Sequence, residues 1–182
     1  MHGVVYASFR DFVAARFGAE TCRAVFEGEP AYLLSEAYPD ERLGALVART
    51  CELVGIDPEV AVYEFGVFTG EKTFARLYPA FFSVAHSAQD FLLTVETRIH
   101  ELVRATVPSA RPPQLTVERL GNDGVSILYR SPRQLCTLLR GLAEGTSRRF
   151  GETTEIVEST CMKRGDEACR LEVRLRPLSG AA

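Results

Sequence analysis

The chain has 182 residues, 46% hydrophobic and 25% charged, with a net charge of −3, enough for one compact domain with a sizeable core. The acidic balance (pI near 5.7) excludes nucleic acid as the main partner, because phosphate binding needs a basic face. Uncharged runs fall far short of a membrane span, and Arg10 and Asp11 arrive too early for a signal peptide's apolar region, so the expected location is the cytoplasm.

Up to about residue 107 the pattern is helical. Phe9, Phe12, Val13 and Phe17 lie on one face of a first helix, with Gly18 as its stop. Leu43, Leu46, Val47 and Val54 mark a second, ending at Gly55. Asp57 followed by Pro58 predicts the cap and first position of a third. A further helix is expected from Ser87 to about Ala105. It puts Leu93 and Val103 on the side of His100, with Phe91, Val95 and Leu102 opposite, so it should be packed on two sides. From Gln114 the period changes to two. Strands at 114–120 and 125–130 flank the turn Gly121-Asn122-Asp123-Gly124, a hairpin signal. A helix with Ser131 as cap, Pro132 at its first position and Gly151 beyond its end comes next. Strands at 153–161 and 168–176 then form a second hairpin around Lys163-Arg164-Gly165-Asp166. The expected fold class is α+β in a single domain: a helical part over 1–107, a β-β-α-β-β part with an antiparallel sheet over 108–176, and a tail over 177–182 whose end, Leu178 to Ala182, is frayed.

The chain has three histidines, His2, His86 and His100. Taken alone, His100 on a packed helix reads as a satisfied core residue. Tyr129, Ser131 and Arg133 recur at alternate positions where a strand enters a helix, so their side chains point the same way. A phenol, a hydroxyl and a guanidinium on one spot suit carboxylates; the plainer alternative is Ser131 as a cap and Arg133 as a surface charge. Neutral imidazole is a standard axial ligand of heme iron, and heme carries two propionates. The two clusters together ask for one flat, apolar, metal-bearing, dicarboxylated ligand.

The five cysteines, Cys22, Cys51, Cys136, Cys161 and Cys169, are an odd number, which favours free thiols or a metal site over a disulfide framework. Cys161 and Cys169 flank the last hairpin and Cys136 sits on the preceding helix. Three thiolates in reach would begin a structural zinc site, with Glu158 or water as fourth ligand; ordinary buried or redox-active thiols are the alternatives. Cys22 and Cys51 lie on apolar helical faces and read as core.

With Met1-His2-Gly3, the segment Glu36 to Glu41, Phe65-Gly66, the segment Leu77 to Phe82, the His100 helix, Ala110-Arg111-Pro112-Pro113 and Tyr129-x-Ser131-x-Arg133, the chain resembles the heme-nitric oxide/oxygen binding (H-NOX) domains over nearly its whole length. The resemblance implies heme b with His100 as proximal iron ligand. It implies propionates held by Tyr129, Ser131 and Arg133, Pro113 pressing the porphyrin, and Asp40 pairing with Arg133. On the opposite face, Leu138 stands where the dioxygen-binding branch has a tyrosine, and Phe9 where it has a tryptophan. Val5, Phe74 and Leu142 match apolar pocket positions. Bound dioxygen acquires negative charge and is held by a hydrogen-bond donor, which nitric oxide and carbon monoxide do not need. The resemblance therefore implies a bacterial-type, non-enzymatic sensor of nitric oxide and carbon monoxide. Its partner in trans would be a histidine kinase, a cyclic dinucleotide enzyme or a chemotaxis protein. A heme peroxidase would need a distal acid–base residue, which Leu138, Phe9 and Val5 do not supply. The second reading is a zinc- or thiol-based, redox-responsive regulatory domain of the same fold.

Overall fold

The computed structural model describes residues 1–107 and 109–178. The expected frayed end lies outside the described residues except for Leu178, whose amide donates to Gly151 O at 2.9 Å. Among the described residues no helix is long and apolar enough to cross a membrane.

The chain opens with helix α1 (Gly3–Val25). A Cβ at Gly3 would stand 1.9 Å from Leu33 O, so only glycine lets the helix start against this loop. Gly18 interrupts α1 with φ 91° and ψ 165°, as the sequence suggests, but the helix resumes and runs on to Val25. Helix α2 (Glu41–Val54) buries Leu43, Leu46 and Val47 and ends on Gly55 in the left-handed region. Helix α3 (Pro58–Phe68) is capped by Asp57, whose carboxylate accepts from the amides of Glu59 (2.9 Å) and Val60 (3.2 Å). These three elements enclose an aromatic core in which Phe9 meets Phe65 edge to face at 5.1 Å. A π-helical turn (Thr69–Thr73), α4 (Phe74–Leu77) and α5 (Pro79–Val84) then lead away from α3.

The ligand helix begins as expected, with the Ser87 hydroxyl accepting from Asp90 N at 3.1 Å. It is not one regular rod. It comprises α6 (Ala88–Thr94), a π-helical turn (Val95–His100) and α7 (Glu101–Thr106). The wider turn advances the chain by roughly 80° per residue instead of 100°, which rotates everything after it. Phe91 and Val95, expected opposite His100, therefore line the same cavity as His100. Leu93, expected beside it, packs against the sheet, and Leu102 is exposed.

Strands β1 (Gln114–Arg119), β2 (Gly124–Arg130), β3 (Glu152–Thr160) and β4 (Cys169–Pro177) form one antiparallel sheet in the order β1-β2-β4-β3. Its architecture is α+β. The pairing sets Ile127 opposite Leu171 and Tyr129 opposite Cys169. Cys169, Leu171, Val173 and Leu175 point inward from β4 while Arg170 and Glu172 point out, the alternation of a sheet with one solvated face. Helix α8 (Cys136–Arg149) and the start of α6 cover the inner face through Ala143, Ala88 and Leu92.

One expected boundary is corrected. The helix after β2 begins at Cys136, not Ser131, and residues 131–134 form a turn in which Gln134 has φ 50°. The Tyr129 hydroxyl accepts from Leu135 N at 3.0 Å, serving the helix entry that Ser131 was expected to cap. Ser131 Oγ instead accepts from Arg133 N at 3.3 Å inside the turn.

The helical part meets α8 backbone to backbone. A Cβ at Gly141 would lie 2.2 Å from Tyr63 O, and one at Gly145 2.0 Å from Val67 O; from the other side, Cβ atoms at Gly66 and Gly70 would each lie 2.5 Å from an α8 carbonyl. The Tyr63 hydroxyl donates to Glu144, and Lys163 pairs with Glu59 at 2.5 Å. Burial, with the Glu144 carboxylate, pushes the Tyr63 phenol up to about 12.

Candidate functional site

A cavity lies between the helical part, the ligand helix, the sheet and α8. Its walls are mostly apolar: Val4 and Val5 from α1, Phe74, Phe91, Leu92, Val95, Ile99 and Val103, Leu115, Val117 and Ile127 from the sheet, and Leu138, Leu139 and Leu142 from α8. Four polar side chains singled out from the sequence open onto it: His100, Tyr129, Ser131 and Arg133. Pro113 lines it as well. The sequence-expected set therefore comes together, with one exception. Phe9 does not line the cavity; its ring is fully buried among Phe12, Phe26 and Phe65. Val5, one turn earlier on α1, takes the wall position, and Phe9 supports it from behind.

His100 is partly buried, and its Nδ1 lies 2.7 Å from Glu96 Oε2. A carboxylate can only accept, so this contact favours the tautomer with the proton on Nδ1 and the lone pair on Nε2. Burial pushes the imidazole pKa down, against the raising effect of Glu96, which favours the neutral ring that metal ligation needs. The other Glu96 oxygen, Oε1, accepts from Arg104 at 2.6 Å.

At the other end of the cavity the Arg133 guanidinium is set by neighbours on two segments. Its Nε donates to Asp40 Oδ2 at 2.7 Å, and its Nη1 donates to Arg111 O. Asp40 in turn accepts from the Met1 ammonium at 2.6 Å. Burial would raise the Asp40 pKa, but the ammonium and Arg133 outweigh it and hold the carboxyl below the usual range. With Nε and Nη1 engaged by protein oxygens, Nη2 remains to meet an anion. Tyr129 and Ser131 each accept a backbone N–H and hydrogen-bond each other, so the linked pair still has a hydroxyl proton to donate. The three groups are thus arranged to donate to carboxylates at the rim of an apolar slot whose far side offers one imidazole lone pair. That donor set and lining fit heme.

Three residues of the site were not anticipated. His2 and Tyr78 line the cavity. The Tyr78 hydroxyl has no hydrogen-bond partner among the described residues, and burial pushes its pKa up. Glu96 could have been found from its spacing, four residues before His100; Tyr78 sat inside the quoted Leu77-Tyr78-Pro79 segment without a role.

A second cluster lies beneath the last hairpin. Cys136 Sγ is 3.6 Å from Cys161 Sγ, Cys169 Sγ accepts from Met162 N at 3.2 Å, and one Glu158 oxygen joins these sulfurs in a set within 4.8 Å of one another. Glu158 Oε1 is buried without a partner. Burial pushes the Cys136 and Cys169 thiols up. Cys51 and Cys22 pack in or against the helical core.

Comparison with known proteins agrees with this geometry. The family model described as Haem-NO-binding matches residues 2–158. Soluble guanylate cyclase 89Db of Drosophila melanogaster is 26% identical over 143 residues, which is 73% of this chain but 20% of that protein. The chain thus spans about a fifth of the length of the curated relatives it matches. Among solved structures, an H-NOX protein from S. oneidensis in the Fe(II)NO ligation state superposes with a TM-score of 0.87 at 22% identity, covering 97% of this chain and 99% of that one. An oxygen-binding H-NOX domain related to soluble guanylate cyclases, solved as its oxygen complex, gives 0.80 at 23% identity, covering 100% and 99%. The fold is therefore common to a nitric oxide complex and an oxygen complex, and gas preference has to come from side chains. With its family model matched from residue 2 to residue 158, its α+β architecture and its largely apolar cavity, the chain belongs to the H-NOX, or haem-NO-binding, family of heme sensor domains.

Proposed function

We propose that this domain is a non-enzymatic gas sensor that binds nitric oxide and carbon monoxide at a ferrous heme b held by His100, and signals to a partner protein in trans. The observation that carries the reading is that His100, from the ligand helix, and Tyr129, Ser131 and Arg133, from the end of β2 and its turn, open onto one otherwise apolar cavity. When bound, heme supplies an iron site for diatomic gases. His100 would hold it through Nε2, Arg133 Nη2 and the two hydroxyls would hold its propionates, and Pro113 would press on the ring. Leu138, Leu142, Val5 and Phe74 would line the opposite face with side chains that offer no hydrogen bond, and the Tyr78 hydroxyl is the polar group that also opens onto the cavity. The pattern favours gases that need no hydrogen bond.

Were gas binding to loosen the bond that His100 Nε2 would make, the helix carrying His100 would be freed from its tether. A ligand shifts an equilibrium only by its differential affinity for the two states, and the lost imidazole bond supplies that difference. Histidine kinases, cyclic dinucleotide enzymes and chemotaxis proteins remain the candidate partner classes. The test is an optical spectrum with metal analysis. One heme per chain is expected, His100→Gly should lose the axial bond, and free imidazole should restore it. Unchanged ligation in His100→Gly would return His100 to the core.

A second reading, compatible with the first, is favoured by Glu158 beside three thiols: its Oε2 pairs with Arg164 at 3.2 Å, while its buried Oε1 has no partner among the described residues. Tetrahedral zinc with bonds of about 2.3 Å sets sulfurs roughly 3.7–3.8 Å apart, close to the 3.6 Å between Cys136 and Cys161. Cys136, Cys161, Cys169 and Glu158 would form the site, making the last hairpin metal- or redox-responsive. Stoichiometric zinc in protein purified without chelator, lost on Cys161→Ala, is the expected result; no zinc would leave ordinary thiols.

A further inference from the structure

His100 does not stand alone on its helix. The carboxylate of Glu96 sits 2.7 Å from Nδ1 on one side and 2.6 Å from Arg104 on the other. All three residues lie on one helical rod, four apart in each step. The first step, from Glu96 to His100, falls within the π-helical turn Val95–His100; the second runs from the end of that turn into α7. The side chains of His100 and Glu96 are 16% and 23% exposed, so water competes little for their hydrogen bond. Arg104, at 40%, reaches in from the surface.

The chemistry of this triad is directional. A carboxylate accepting the Nδ1 proton pushes electron density through the ring and makes Nε2 a stronger donor. An arginine on the other carboxylate oxygen draws charge off the same group and tempers that push. Resting on the heme reading above, we infer that Glu96 is a positioning residue that sets the strength of the bond from His100 Nε2, and that Arg104 moderates it. The pair thereby decides how readily His100 lets go when a gas binds on the opposite face. Arg104 also stands near the end of α7, just before the segment that carries Arg111 and Pro113. A shift of that end relative to the π-helical turn would change the Arg104–Glu96 contact and so adjust the imidazole.

The variants that separate these roles are conservative. Glu96→Gln keeps an acceptor oxygen for Nδ1 but removes the charge, Glu96→Ala removes both, and Arg104→Ala frees the carboxylate from its competitor. Two readouts are needed. The first is the iron–histidine stretching band of the ferrous, gas-free protein, by resonance Raman. The second, in heme-free protein, is the His100 tautomer by 15N NMR. The stretching frequency should rank Arg104→Ala above the parent and the parent above Glu96→Gln and Glu96→Ala. Under saturating nitric oxide, the ratio of His100-attached to detached protein should fall about 10- to 100-fold in Glu96→Ala, the usual cost of losing a partner behind a metal ligand. It should rise in Arg104→Ala. The Nδ1–H tautomer should dominate in heme-free parent and Glu96→Gln and be lost in Glu96→Ala. Equal stretching bands in all four proteins would overturn the inference, as would an Nε2–H tautomer in the parent. If instead His100→Gly leaves the band untouched, the heme assignment itself fails, while the tautomer measurement still reports on Glu96.

Discussion

Replacing Gly145 with alanine probes the joint that holds the cavity together. The added Cβ would fall 2.0 Å from Val67 O and 2.9 Å from Glu71 N. Both are backbone atoms, so no side chain can turn aside and α8 must move off α3. Overpacking of this kind costs about 1–3 kcal/mol. In a chain of this size each kcal/mol moves Tm by about 2–4 °C, so the expected drop is about 2–12 °C. Gly44, inside α2, is the control, because its Cβ would meet nothing within 4 Å. There alanine should stabilise by about 0.4–1 kcal/mol through the entropy of the unfolded chain. The assay is thermal unfolding of both variants at fixed heme occupancy, since a bound ligand raises apparent stability by itself. Because Leu138, Leu139 and Leu142 reach the cavity from α8, Gly145→Ala should also shed heme faster. A Gly145→Ala protein as stable as Gly44→Ala would refute the backbone contact.

Arg133→Ala should lose heme about ten- to a hundredfold more readily, since a hydrogen bond to a charged group is worth about 1.5–3 kcal/mol; Arg148→Ala, whose side chain is half exposed, should not, and equal retention would end the propionate role. The parent should form no stable dioxygen complex in air. If it does, and Tyr78→Phe abolishes it, the free Tyr78 hydroxyl is the donor; Leu138→Tyr is the matching attempt to create one. Asp40 has a folded pKa below its unfolded value, so its stabilising effect is fully present above the unfolded pKa and is lost as pH falls through the folded one. Acid titration of heme retention should therefore show a loss below about pH 4 that is flattened in Asp40→Asn.

Periodicity and capping chemistry carried much of the fold. Asp57-Pro58, Ser87 and the Gly121–Gly124 turn each act locally, through one or two hydrogen bonds or a glycine conformation, and the structure has them where the sequence puts them. The Tyr-x-Ser-x-Arg spacing was legible because a strand's period of two is rigid up to Tyr129. What failed depended on neighbours distant in sequence. Ser131 looked like a cap, but Tyr129, held in the sheet opposite Cys169, serves the helix entry first. Phe9 was assigned to the pocket, yet Phe65 and Phe26 claim its ring, and only the packing of α1 on α3 could reveal that.

The ligand helix shows why one misread turn matters for function. In a regular helix nine residues turn through about 180°, net of whole turns, which sets Phe91 opposite His100. Across the six residues of Val95–His100, the π-helical turn withholds roughly 110° of that rotation. The result is a single face carrying Phe91, Val95, Ile99, His100 and Val103. The apolar wall and the imidazole thus belong to one surface because the helix is irregular there. The same turn contains Glu96, whose carboxylate favours the Nδ1–H tautomer of His100. An insertion of this kind has an alternative, the ordinary α-helical turn, in which His100 would swing away from the cavity wall. If His100 holds heme through Nε2 as proposed, that bond would favour the π form, and its loss would remove the preference at this turn.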